Sequence, residues 1–200
     1  MHRAILAAAV AGASLLGAGG AGAETVHAGT CGIEGTITLS SPITAAPQQV
    51  DFTLAGAIQC YDIVNTATPG LRGAPIAGDL TGQGAGNVAC EGGASGGSFE
   101  AAFSTGVDTR DLWVGTFGSA GGPLSLLSVT VRAVEQQHFD SIAGEWVTDS
   151  SDTTGANLTG GAFMFTVEDP AVCDPNGAGT SSAGFSGRLA HVFETAPAGV

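Results

Sequence analysis

The chain predicts an all-β fold, a single antiparallel β-sandwich or sandwich-like barrel of about nine strands. Three observations carry that expectation. Apolar residues recur at every second position, clusters of Gly, Pro, Asn, Asp and Ser interrupt them at short intervals, and no long stretch keeps a 3.6-residue period.

The N-terminus is set apart from this pattern. Met1-His2-Arg3 precedes an uncharged run from Ala4 to Gly22, and Ala21-Gly22-Ala23 has the small residues of a cleavage site. That is the layout of a secretory signal peptide, so residues 1–23 are expected to be removed and 24–200 to form one secreted β domain. A membrane anchor fits less well, because a spanning helix needs about 20 predominantly apolar residues and glycine thins this run. Cys31 lies too far past the expected cut to carry a lipid, and the C-terminal "TAPAGV" has no apolar tail, so no stable membrane anchor is expected.

The first strand is read at Cys31-Gly-Ile33-Glu-Gly35-Thr-Ile37-Thr-Leu39, whose odd positions share one face, and Pro42 and Pro47 mark the turn after it. In the second, Phe52, Leu54, Ile58 and Cys60 share a face. "YDIVNTATPGLRGAPIAG" from Tyr61 to Gly78 reads as loop or irregular edge. The third runs from Leu80 to Cys90, with Cys90 in phase with Leu80 and Val88. Six more follow at 98–104, 112–118, 124–134, 141–148, 158–167 and 184–194. "RAVEQQHF", residues 132–139, is the best helical rival, but it is short and has no cap before it. The 33 glycines are expected at bulges, bends and close backbone approaches, since glycine otherwise weakens a strand.

Charge excludes several functions. There is no lysine, and once Arg3 has left with the leader only Arg72, Arg110, Arg132 and Arg188 stand against 18 acidic residues. Nucleic acid and anionic membranes are bound through Lys and Arg that neutralise phosphates, so neither is expected as a partner. "LTGQGAGNVAC" resembles a dinucleotide loop only superficially. Asn87 stands where the third glycine is needed, no helix follows, and a P-loop would require lysine, so no nucleotide is expected.

Catalytic signatures are sparse. His27, His138 and His191 remain in the mature chain, without a G-x-S-x-G elbow, and His138, read in a turn beside Phe139-Asp140, is the best candidate for acid–base work. A paired-carboxylate hydrolase wants an aromatic-lined groove. Only Trp113, Trp146 and Tyr61 could supply one, and both tryptophans are read as core; a solvent-facing tryptophan would favour carbohydrate binding. Two acidic loops, one with Asp149, Asp152 and Asn157 and one with Glu168, Asp169, Asp174 and Asn176, contain calcium-type oxygen ligands but match no established spacing and read as turns. No C-x-x-C exists for zinc, and no cofactor or metal is expected. Asn157-Leu-Thr159 is a glycosylation sequon in form.

The segments "TCGIEGTITLSSPI", "FTLAGAIQC" and "GQGAGNVAC", spanning Thr30 to Cys90, resemble small β-rich secreted proteins of high-GC Gram-positive bacteria. The resemblance implies an exported, disulfide-bonded all-β domain and no catalytic residues.

An even set of cysteines in an exported chain reads as two disulfides among Cys31, Cys60, Cys90 and Cys173. Spacing leaves three pairings open. The expected one joins Cys60 to Cys90 and Cys31 to Cys173. For function, the expectation is a secreted binding or interaction module without a catalytic site, contacting an extracellular protein or glycan through loops at 61–78, 149–157 and 168–183. A carbohydrate-active or other hydrolase on the same scaffold and a structural cell-envelope or spore-surface component are the alternatives.

Overall fold

The computed structural model describes residues 25–65, 75–120, 124–153, 159–174 and 177–195. The expected leader, Arg72, Asn157 and Asn176 lie outside them. Among the described residues there are nine strands and no α-helix: β1 (Thr25–Ile43), β2 (Gln48–Asn65), β3 (Ile76–Ala89), β4 (Gly92–Ser104), β5 (Thr109–Ala120), β6 (Leu124–Asp140), β7 (Glu145–Thr153), β8 (Thr159–Thr166) and β9 (Thr180–Thr195). A short 3-10 turn, Pro170–Cys173, lies between β8 and β9.

All nine strands belong to one antiparallel sheet in the order β5-β4-β3-β2-β1-β9-β8-β6-β7, and β5 also pairs with β6. The N-terminal part of β6 pairs with β8 and its C-terminal part with β7. The 132–139 stretch, the helical rival, is inside β6. Opposite Val114 and Gly115 of β5 the partner shifts from Ala133 to Val131, which leaves Arg132 as an extra residue on β6, a bulge that breaks the period-2 alternation of this stretch.

Period-2 alternation buries one face. Cys31, Ile33, Ile37 and Leu39 of β1 are buried while Glu34, Thr36 and Thr38 between them are exposed, and Phe52, Ile58 and Cys60 repeat this on β2. Among the described residues no α-helix or second sheet covers this apolar face. The sheet covers it by its own curvature, as Phe52 of β2 meets Phe117 of β5 with ring centroids 6.1 Å apart although those strands are not neighbours.

The glycines take part in this packing. Phe52 and Gly84, Phe99 and Gly115, Phe103 and Gly78, and Phe185 and Gly35 are register partners on adjacent strands. In each couple the ring lies where a side chain on the glycine would be. A Cβ on Gly84 would sit 2.8 Å from the Phe52 ring, and one on Gly35 the same distance from the Phe185 ring. The glycines expected to serve bulges and bends therefore also make room for large neighbours across the ladder.

Two local expectations change. Residues 141–144 are a turn, not the start of a strand: the Asp140 carboxylate accepts from the backbone N–H groups of Ile142 (2.8 Å) and Ala143 (3.1 Å). Gly144, with φ +75°, closes the turn in the left-handed region that glycine adopts without steric cost. His138 consequently lies within β6, two residues before its end, rather than in a turn.

The disulfide pairing is corrected as well. Cys31 bonds Cys60, and Cys90 bonds Cys173. Cys31 and Cys60 are register partners in the β1–β2 ladder, with Cα atoms 4.0 Å apart, so neither can reach elsewhere. Cys90, in the β3–β4 turn, takes the remaining partner on the 3-10 turn and ties the β8–β9 connection to the β3–β4 turn beside the end of β1, where the Cys90 N–H donates to the Thr44 carbonyl and Thr180 pairs with Ile43.

Candidate functional site

The buried face is not filled throughout. A cavity of about 90 Å³ lies within it, lined by aliphatic and aromatic side chains including Ile37, Phe52, Leu80, Phe117, Val129 and Phe185. Every strand but β7 contributes to the lining, so the site is a product of the whole sheet rather than of one motif.

Its lining changes character at one end. There, Gly92 and Gly93 at the start of β4 stand beside Ser95 and Ser119, the two hydroxyl-bearing residues of the lining among the described residues. Gly92 follows the two-residue turn Cys90-Glu91 with φ +99°. Ser95 and Ser119 are register partners on β4 and β5, half-buried, with their hydroxyl oxygens 2.8 Å apart. The Ser119 hydroxyl also donates to the Gly93 carbonyl at 3.3 Å. An apolar enclosed cavity stays dry and accepts apolar guests, and a few placed polar groups fix their orientation.

At the opposite end of the buried face the core is solid. Ala101, Phe103, Trp113, Val131 and the Cys31–Cys60 bridge belong to the core cluster but not to the cavity wall. Phe103 and Trp113 pack with centroids 4.6 Å apart. Trp113, 7 % exposed, is thus the core residue expected of it.

Trp146 is not. It is 37 % exposed on β7, which would favour a sugar-binding platform, but the Arg110 guanidinium lies over its ring at 4.2 Å and Phe139 meets it edge-on at 5.5 Å. Arg110 is held there because its Nε donates to Gln137 Oε1 (2.8 Å), while Gln137 Nε2 donates to Glu135 (2.9 Å) and Thr148 (3.1 Å). Gln137 is the buried polar side chain of the core region, and its amide is satisfied on both sides. This cluster is a cation–π brace for the β6–β7 hairpin.

The remaining sequence candidates are dispersed. His138 Nδ1 lies 2.8 Å from Asp149 Oδ1, both about half-exposed, so the pair comes together on adjacent strands. Asp169 caps the 3-10 turn by accepting from the Ala171 N–H at 2.9 Å. Among the described residues no three His, Cys, Asp or Glu side chains are grouped as a metal site. Two wider depressions on the outer face each hold, among the described residues, one carboxylate, Glu34 in one and Asp51 in the other. Of the expected contact loops, 61–65 and 76–78 are strand, as are 149–153 and 180–183; Tyr61 and Ile76 are exposed at 46 % and 40 %. No helix among the described residues is long and apolar enough to cross a membrane.

Sequence reading missed the cavity and its two serines. Ser95 falls before the expected fourth strand and Ser119 one residue after the expected fifth, so neither acquired a face. No family model, curated protein or solved structure matches the chain.

Proposed function

We propose that this protein is an exported, non-enzymatic binding module in which the sheet forms a barrel that takes a small apolar ligand into its interior. The observation that carries the reading is the apolar cavity with its single polar end. The barrel reading is supported by the pairings, which lead from β1 through β2, β3, β4, β5, β6, β8 and β9 and back to β1. Export is supported by two disulfides, which persist in oxidising compartments. The cavity is small, below the roughly 150 Å³ that accepts benzene in an engineered core, so the guest is small or slender rather than drug-sized.

The test is titration with xenon or ethane, followed by amide chemical shifts. Saturable shifts confined to residues such as Phe117, Val129 and Phe185 are expected. Shifts that grow linearly, or that map to the outer face, would remove the reading.

The hydrolase alternative has one observation in its favour, the His138–Asp149 pair. Loss of a detected hydrolytic activity in His138→Ala would support it, and unchanged activity would not.

A further inference from the structure

The hydrogen-bond arrangement at the polar end of the cavity indicates what the ligand carries there. A hydroxyl has one proton to donate and two lone pairs that accept. The Ser119 hydroxyl directs its proton to the Gly93 carbonyl, an atom that can only accept. The 2.8 Å contact between the two serines is then made by the Ser95 proton, donated to Ser119. Both protons are committed within the protein. What the pair offers to the cavity is lone pairs.

An acceptor site in an apolar wall selects its guest by two conditions. The guest must bring a proton to donate, and it must not bring a charge. A carboxylate finds no donor on this pair and would be desolvated among hydrocarbon side chains; an ammonium could donate but would lose its hydration without an anionic partner in the lining. A neutral hydroxyl meets both conditions. We infer that the cavity takes a slender aliphatic alcohol, its chain packed against Phe52, Phe117 and Val129 and its O–H donated to Ser95, an inference that rests on the cavity-binding reading above.

The experiment compares ethanol, ethane, acetate and ethylammonium as probes by chemical-shift titration of the full chain. One net hydrogen bond predicts that ethanol binds roughly two- to tenfold more tightly than ethane, with acetate and ethylammonium weaker than both. In S95A/S119A the alcohol is expected to fall to the affinity of ethane while ethane still binds; should the double variant fail to fold, S95A alone makes the same comparison. Equal binding of alcohol and alkane by the unaltered protein, or a preference for either charged probe, overturns the inference and leaves cavity binding standing. Failure of ethane itself to bind overturns both.

Discussion

The two ends of the buried face are built from the same kinds of strand and are packed differently. Around Ala101, Phe103 and Trp113 the side chains fill the space, and the Cys31–Cys60 bridge joins strands that the ladder already pairs. Around Gly92, Ser95 and Ser119 a cavity remains, and Cys90–Cys173 joins elements that no ladder connects. The filled end holds itself together by packing. At the hollow end a covalent tie spans elements that the ladder leaves apart.

The disulfides give the largest test of this contrast. In the chain-entropy account, losing Cys90–Cys173, whose ends are 83 positions apart in sequence, costs about 4.5 kcal/mol, and losing Cys31–Cys60, 29 positions apart, costs about 3.6 kcal/mol. Denaturant unfolding of C90A/C173A and C31A/C60A is expected to rank them in that order, and probe binding to change in C90A/C173A alone. The reverse ranking would mean that packing at the filled end outweighs the longer tie.

Added volume gives the next. Ala101 is fully buried in the filled end, so Ala101→Val is expected to destabilise by about 1–3 kcal/mol through overpacking. Val129→Leu adds one methylene to the cavity wall and is expected to be neutral or to gain up to about 0.8 kcal/mol while weakening ethane binding. Equal losses in thermal unfolding at the two positions would show that the ends are packed alike.

The smallest effect belongs to the β6–β7 turn, outside both ends. The backbone N–H of Ala143, then that of Ile142, hold the Asp140 carboxyl below its ordinary range. A carboxylate whose folded pKa is depressed stabilises the fold above its unfolded pKa and loses that contribution as pH falls through the folded value. Asp140→Asn is therefore expected to lower the melting temperature slightly near neutrality, and the gap from the unaltered protein to close on acidification below the lowered pKa. A gap that persists in acid would assign the effect to turn geometry.

Much of the fold was legible because alternation is a local property. Residues such as Ile33, Ile37, Phe52 and Ile58 announce their face without reference to any partner, and nine strands in chain order follow from that pattern. Partnership is not local. Cys31, Cys60 and Cys90 all share the phase of the buried side, yet phase says nothing of which strand lies alongside, and only the β1–β2 register brings Cys31 opposite Cys60. Ser95 and Ser119 were hidden for a different reason: glycine-rich strand ends lack the apolar alternation that marks a strand, so β4 and β5 run past the expected boundaries. A cavity is harder still, being a volume left over after many side chains have been placed.

The phenylalanine–glycine couples have a consequence for how such an interior can vary. In each couple a backbone carbonyl of a neighbouring strand, as well as the ring, stands where the glycine's side chain would be. An alanine at Gly84 would meet the Gly96 carbonyl oxygen besides the Phe52 ring at 2.8 Å, so it stays obstructed whatever residue replaces Phe52, and a smaller residue at Phe52 leaves space that position 84 cannot fill. The freedom to reshape such an interior therefore lies with the rings, while the glycines are held by the spacing of the backbone itself.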